Sequence, residues 1–192
     1  MPCLCCRLPT REVLCTPCRG GFRPAPDRLL PGGLGAHPAF VHEGPARRLV
    51  HRLKYEGLVE AAMLLAGPMA HRLPVATVAL VPIPRVRWRR VRYGIDPAAT
   101  LAAFLGRLTG LPVVDALTPS WTGPVHAGRG RGRRHPPRFG RRLDPGPGVV
   151  LVDDVVTTGI TIVEAAKTVG GGVAGAVTAT GAVTSLIGDG AV

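Results

Sequence analysis

Between Val149 and Gly159 the chain reads Val-Val-Leu-Val-Asp-Asp-Val-Val-Thr-Thr-Gly. Four consecutive aliphatic residues leave no polar face, so a strand here has to be covered on both sides. Two carboxylates follow at once, then a Thr and Gly turn, then a helical pattern from about Gly159 to Val169. Similar apolar runs at 78–81, 112–116 and 173–183 alternate with helical patterns at Pro45–Tyr55, about Leu58–Leu73 and Asp96–Gly110. Asp96 reads as N-cap, Pro97 as first helical residue and Gly110 as stop, while Pro68 implies a kink or break in its helix. This alternation predicts an α/β fold, a mostly parallel sheet with helices on both faces. With 46% hydrophobic but only 4% aromatic residues, its core must be built from Val, Ala and Leu.

In an open α/β sheet, the strand-end pair Asp153 and Asp154 falls in the crevice at the carboxyl ends of the strands, where ligands bind. The backbone N–H groups of the turn and the start of the next helix form an anion cradle. Thr157 and Thr158 add hydroxyl donors, and Gly159 permits close backbone approach. Anion donors beside paired carboxylates suit a sugar phosphate, with hydroxyls on the acids and phosphate in the cradle. The plain alternative is a pair of solvated caps. A P-loop is excluded, because its Lys and glycine spacing are missing.

All five cysteines lie within the first 18 residues. Cys3-x-x-Cys6 and Cys15-x-x-Cys18 are two knuckles able to close a tetrahedron of thiolates around a structural Zn²⁺. A disulfide or redox pair is the competing reading, and Cys5 is a possible substitute for Cys3 or Cys6. The first residues lack a basic region followed by an apolar run, so no secretory signal is expected. The uncharged stretch 168–188 is Gly, Ala and Thr rather than Leu, Ile and Phe, so no membrane span is expected and the protein reads as cytoplasmic. Residues 19–44, rich in Gly, Pro and Arg, read as a connecting segment with little regular structure. The expected division is therefore a zinc module and linker over 1–44 and an α/β domain over 45–192.

The apolar residues, two acids and Thr/Gly turn resemble the signature of type I phosphoribosyltransferases. That resemblance implies that Asp153 and Asp154 hold the ribose of phosphoribosyl pyrophosphate (PRPP). It assigns the 5′-phosphate to the turn Val155, Val156, Thr157, Thr158, Gly159, Ile160 and Thr161, with Mg²⁺ accompanying PRPP. More narrowly, Cys3, Cys6, Cys15 and Cys18, the run Arg48 to Gly57 with its Leu-Lys-Tyr element, and Val81-Pro82-Ile83-Pro84 resemble the ComF family. These are phosphoribosyltransferase-like proteins with an N-terminal, zinc ribbon-like four-Cys module, linked to DNA uptake in competent bacteria. The resemblance implies a pyrophosphate-side loop at Pro82, Ile83, Pro84 and Arg85, and a phosphate role for Lys54. The chain departs from the family at Arg92-Tyr93-Gly94-Ile95-Asp96 and across His126–His135.

The formal charge is +12, from 24 basic and 12 acidic residues. Residues 85–92 supply five arginines and residues 129–142 seven, with no acid in either segment. Such a basic excess suits polyanions. Two functions remain open from sequence. One is a competence factor that keeps a PRPP or nucleotide-phosphate site and meets single-stranded DNA or the uptake helicase machinery. The other is a metabolic phosphoribosyltransferase acting on a nucleobase or related acceptor.

Overall fold

The computed structural model describes residues 1–85, 94–119 and 137–182. A short helix α1 (Thr16–Gly20) follows the first knuckle, and strands β1 (Arg28–Leu30) and β2 (Leu34–Val41) come next. Helices α2 (Gly44–Glu56) and α3 (Val59–Ala70) lead to β3 (Ala79–Pro82). Then come α4 (Pro97–Thr109), β4 (Leu117–Pro119), β5 (Phe139–Arg141), β6 (Val149–Val156), α5 (Ile160–Val169) and β7 (Val173–Gly181). Five strands form one sheet in the order β1-β2-β7-β6-β3. β2, β7, β6 and β3 run parallel, and β1 is antiparallel on the edge. A separate antiparallel pair joins β4 to β5.

Ala79–Pro82 of β3 and the first four residues of β6 are buried at every position, successive side chains packing on opposite faces of the sheet. Val150 and Val152 of β6, with Leu80 and Val177, pack against Leu49 and Leu53 of α2, Leu65 and Met69 of α3, and Leu101 and Leu105 of α4. Val149 and Leu151, with Val81 and Ala176, pack on the other side against Ile162, Ala165 and Val169 of α5 and Leu117 of β4. The architecture is therefore mixed α/β, with a mostly parallel central sheet and helices on both faces.

Several expected elements stand where the pattern put them. The Asp96 side chain accepts from the N–H of Ala99 and caps α4, and Gly110 ends that helix at φ 75°. Pro68 lies inside α3, which continues only to Ala70. Two expectations are corrected. Residues 19–44 are no featureless connector, because β2 crosses them and pairs in parallel with β7. Pro38 sits in β2 opposite Thr178 of β7, and the parallel ladder continues on either side of it at His37 with Val177 and Phe40 with Thr180. The strand expected at 112–116 reduces to a single parallel bridge between Val113 and Leu80, and the regular strand begins at Leu117. Within the second basic run, Phe139–Arg141 forms β5. Trp88, Trp121, His126, His135 and most of the two arginine runs lie outside the described residues. Among the described residues no helix is long and apolar enough to cross a membrane.

Candidate functional site

The two Cys-x-x-Cys knuckles meet. One sulfur from each of Cys3, Cys6, Cys15 and Cys18 lies within 4.8 Å of the others, and Cys6 Sγ is 3.6 Å from Cys15 Sγ. Four thiolates about 2.3 Å from one zinc ion stand about 3.8 Å apart in a tetrahedron, so this donor set fits the metal. All five cysteines are unbridged, against the disulfide alternative. The backbone N–H of Cys15 donates to Cys3 Sγ at 3.3 Å. Although burial opposes it, this bond and those from neighbouring cysteine backbones bring the Cys3 thiol down to about 6. Burial pushes the Cys18 thiol up. Cys5 stands outside the four, its thiol directed at the carbonyl of Pro45 at 3.6 Å and held up by burial.

This cysteine module is fused to the main core. Cys3, Cys5 and Cys18 are buried in the same cluster as Leu49 and Leu53. Glu56 of α2 receives Arg7 at 2.6 Å and Arg52 at 2.8 Å, and Arg52 also donates to the carbonyl of Leu4. Both guanidiniums hold the Glu56 carboxyl below its ordinary range, Arg52 foremost.

At the carboxyl ends of β3 and β6 a cleft of about 480 Å³ opens. Asp153, Asp154, Val155, Thr157 and Thr161 line it from the β6 side, Ile83, Pro84 and Arg85 from the β3 side, and Lys54 from α2. Lys54 Nζ lies 2.9 Å from Asp154 Oδ1, and Asp154 is 7% exposed. Burial pushes the neighbouring Asp153 carboxyl well up, and the charge of Asp154 adds to the shift. Two acids this close resist ionising together, so a cation or hydroxyl donors arriving beside them relieve the pair.

The turn after β6 is built from far away in sequence. Arg28 of β1 donates to the carbonyl of Thr157 at 2.6 Å and that of Val156 at 3.3 Å. Gly159 takes φ +78°, and a Cβ there would stand 2.5 Å from Leu30 Cδ2, so only glycine fits. It opens α5 with no side-chain cap, leaving the first amides of that helix for an anion. Arg85 is fixed from three directions. Its N–H donates to Asp96 Oδ2 at 3.0 Å, its guanidinium donates to the carbonyl of Lys54 at 3.0 Å, and its charge lies 5.6 Å above the Tyr55 ring.

Not every expected residue reaches the cleft. Pro82 is buried within β3 and Val156 within β6; Thr158 and Ile160 are exposed beside the turn, and Gly159 is turned to Leu30. Four residues that sequence reasoning did not assign to the site are His42, Asp96, Arg138 and Arg28. His42, Asp96 and Arg138 line the cleft. Asp96 had shown itself only as a helix cap. His42 and Arg28 lay at or within a segment read as a connector, where no strand end signalled them.

The chain matches no family model, and no curated protein matches it in sequence.

Proposed function

We propose that the chain binds a phosphoribosyl ligand, PRPP with its Mg²⁺, in the β3–β6 cleft. In this reading it is a type I phosphoribosyltransferase-like protein of the ComF family, with a structural zinc on its four cysteines and a role in DNA uptake. One observation carries the reading: Asp153 and Asp154, Lys54, Arg85 and the uncapped start of α5 with Thr157 and Thr161 all converge on one cleft. The carboxylates take the ribose hydroxyls. Amides at the start of α5 take the 5′-phosphate, each such anion contact contributing about 0.3–1 kcal/mol. Lys54 and Arg85 face the pyrophosphate, whose charge the accompanying Mg²⁺ neutralises in part. Preorganised cations of this kind favour departure of pyrophosphate from the ribose C1 carbon.

The test is calorimetric titration of Mg·PRPP into the zinc-loaded chain. Binding that weakens about tenfold or more in Asp154→Asn, roughly 1.4 kcal/mol, supports the reading. No heat with intact protein removes it. Salt-dependent binding of single-stranded DNA, weakened by joint replacement of Arg131, Arg133 and Arg134, supports the uptake role. A cleft of this volume also accommodates an acceptor beside the ribose phosphate, which favours a second reading as a metabolic phosphoribosyltransferase. Pyrophosphate release dependent on both PRPP and a nucleobase distinguishes it.

A further inference from the structure

His42 follows the last residue of β2 and lines the same cleft as Asp153 and Asp154. Its backbone N–H donates to the carbonyl of Gly181 at 2.8 Å, which anchors it to the carboxyl end of β7. Its ring is positioned by a second bond, from Nδ1 to Thr180 Oγ1 at 2.8 Å. Thr180 is fully buried, and its hydroxyl also reaches the carbonyl of Asp154 at 3.3 Å. A carbonyl only accepts, so the single hydroxyl proton of Thr180 is directed there. The Thr180 oxygen then accepts from Nδ1–H of His42, and Nε2 is left with its lone pair. Among the described residues Nε2 has no protein partner.

The charges around the ring act in the same sense. Lys54 and Arg47 of α2 and Asp154 of β6 face it. Burial lowers its basicity first, the two cations add to that, and only Asp154 opposes. These influences favour the uncharged imidazole, in a cleft it shares with the ionisable side chains of Lys54, Arg85, Asp96, Asp153 and Asp154.

We infer that His42 is a ligand-binding residue of this cleft, its bare Nε2 accepting a hydrogen bond from a hydroxyl of the sugar that Asp153 and Asp154 hold. The inference rests on the ribose-phosphate reading and adds to it. The neighbouring acids can accept from two hydroxyls of one sugar face, and Nε2 supplies a neutral acceptor beside them. Because β7 ties His42 and Asp154 to one threonine, the two acceptors hold a fixed spacing, suited to a rigid furanose rather than to a flexible polyol. The selected ligand class is a phosphorylated pentose with free ring hydroxyls.

The test uses the full zinc-loaded chain labelled with ¹⁵N-histidine. At pH 7 the His42 spectrum is expected to show a protonated Nδ1 and a bare Nε2, and Thr180→Val is expected to shift the ring toward the Nε2–H form. Mg·PRPP is expected to move the Nε2 resonance. His42→Phe is expected to weaken Mg·PRPP binding about tenfold, whereas His42→Gln, which keeps an acceptor, restores most of it. An imidazolium or an Nε2–H ring in the wild type at pH 7 overturns the inference. So does unchanged Mg·PRPP affinity in a folded His42→Phe chain with an unmoved Nε2 resonance in the wild type. Absence of any Mg·PRPP binding by the wild type is a different result, which overturns the ribose-phosphate reading and the ligand assignment built on it.

Discussion

Gly159 combines a left-handed backbone with a leucine methyl pressed against its missing side chain. Gly159→Ala is therefore expected to lower the unfolding free energy by about 1–2 kcal/mol from backbone conformation alone, with the clash against Leu30 added to it. In urea titrations, Leu30→Ala in the same chain should reduce the clash and leave the backbone cost. Asp153 carries the opposite trade. Its folded-state pKa is raised, so its contribution is complete below the ordinary value of 3.8 and is lost as pH rises through the folded value. Asp153→Asn should consequently raise the melting temperature at pH 7 while weakening Mg·PRPP. Both changes in the same direction would contradict this assignment. Glu56 has the reverse sign, since Arg52 and Arg7 depress its pKa. Its stabilisation is present above 4.5 and is lost as pH falls through the folded value, so Glu56→Gln should flatten the acid limb of a melting-temperature profile. Among the cysteines, Cys18→Ser should abolish zinc retention. Cys5→Ala should keep about one zinc per chain by elemental analysis, because four thiolates already complete a closed site.

Helix α2 spans the distance between the two sites. One face buries Leu49, Val50 and Leu53 against the sheet, Arg52 and Glu56 grip the cysteine module, and Lys54 meets Asp154. Leu53→Ala is expected to cost about 2–5 kcal/mol in chemical denaturation and to disturb metal retention and ligand binding together. The periodicity that announced α2, α4 and α5 was strong because each has one apolar stripe and a glycine or proline at an end. The same logic failed at β2. Gly35 and Pro38 look like breakers in one dimension, whereas the strand is held by its parallel ladder with β7 on both sides of the proline. Arg28 and His42 went unrecognised for that reason, since a residue at the end of an unseen strand carries no positional signal. At 112–116 the reverse occurred, where β-branched residues suited to a strand touch the sheet through a single bridge. The two acids at the strand end and the turn that follows them were legible because strand, charge and turn follow one another without interruption.

On the scale of the whole molecule, a charge of +12 sits on 192 residues, and the described arginines of the two basic runs include Arg85 and Arg138 at the cleft. Polyvalent anions should therefore stabilise the fold more than chloride at equal ionic strength, and pyrophosphate should raise the melting temperature most. Equal shifts for all salts would indicate general screening alone. The sheet order sets a further condition, one of timing. Among the described residues β7 follows every other strand of the sheet in the chain, yet it lies at the centre, with β2 on one side and β6 on the other. During synthesis the ribosome releases β1 and β2 first, then β3 and β6, as two half-sheets that share no strand. At about 5–20 residues per second, β2 waits many seconds for its parallel partner. The segment that joins these halves leaves the exit tunnel after both of them, so nascent chains stopped before residue 173 should remain protease-sensitive throughout the α/β layer.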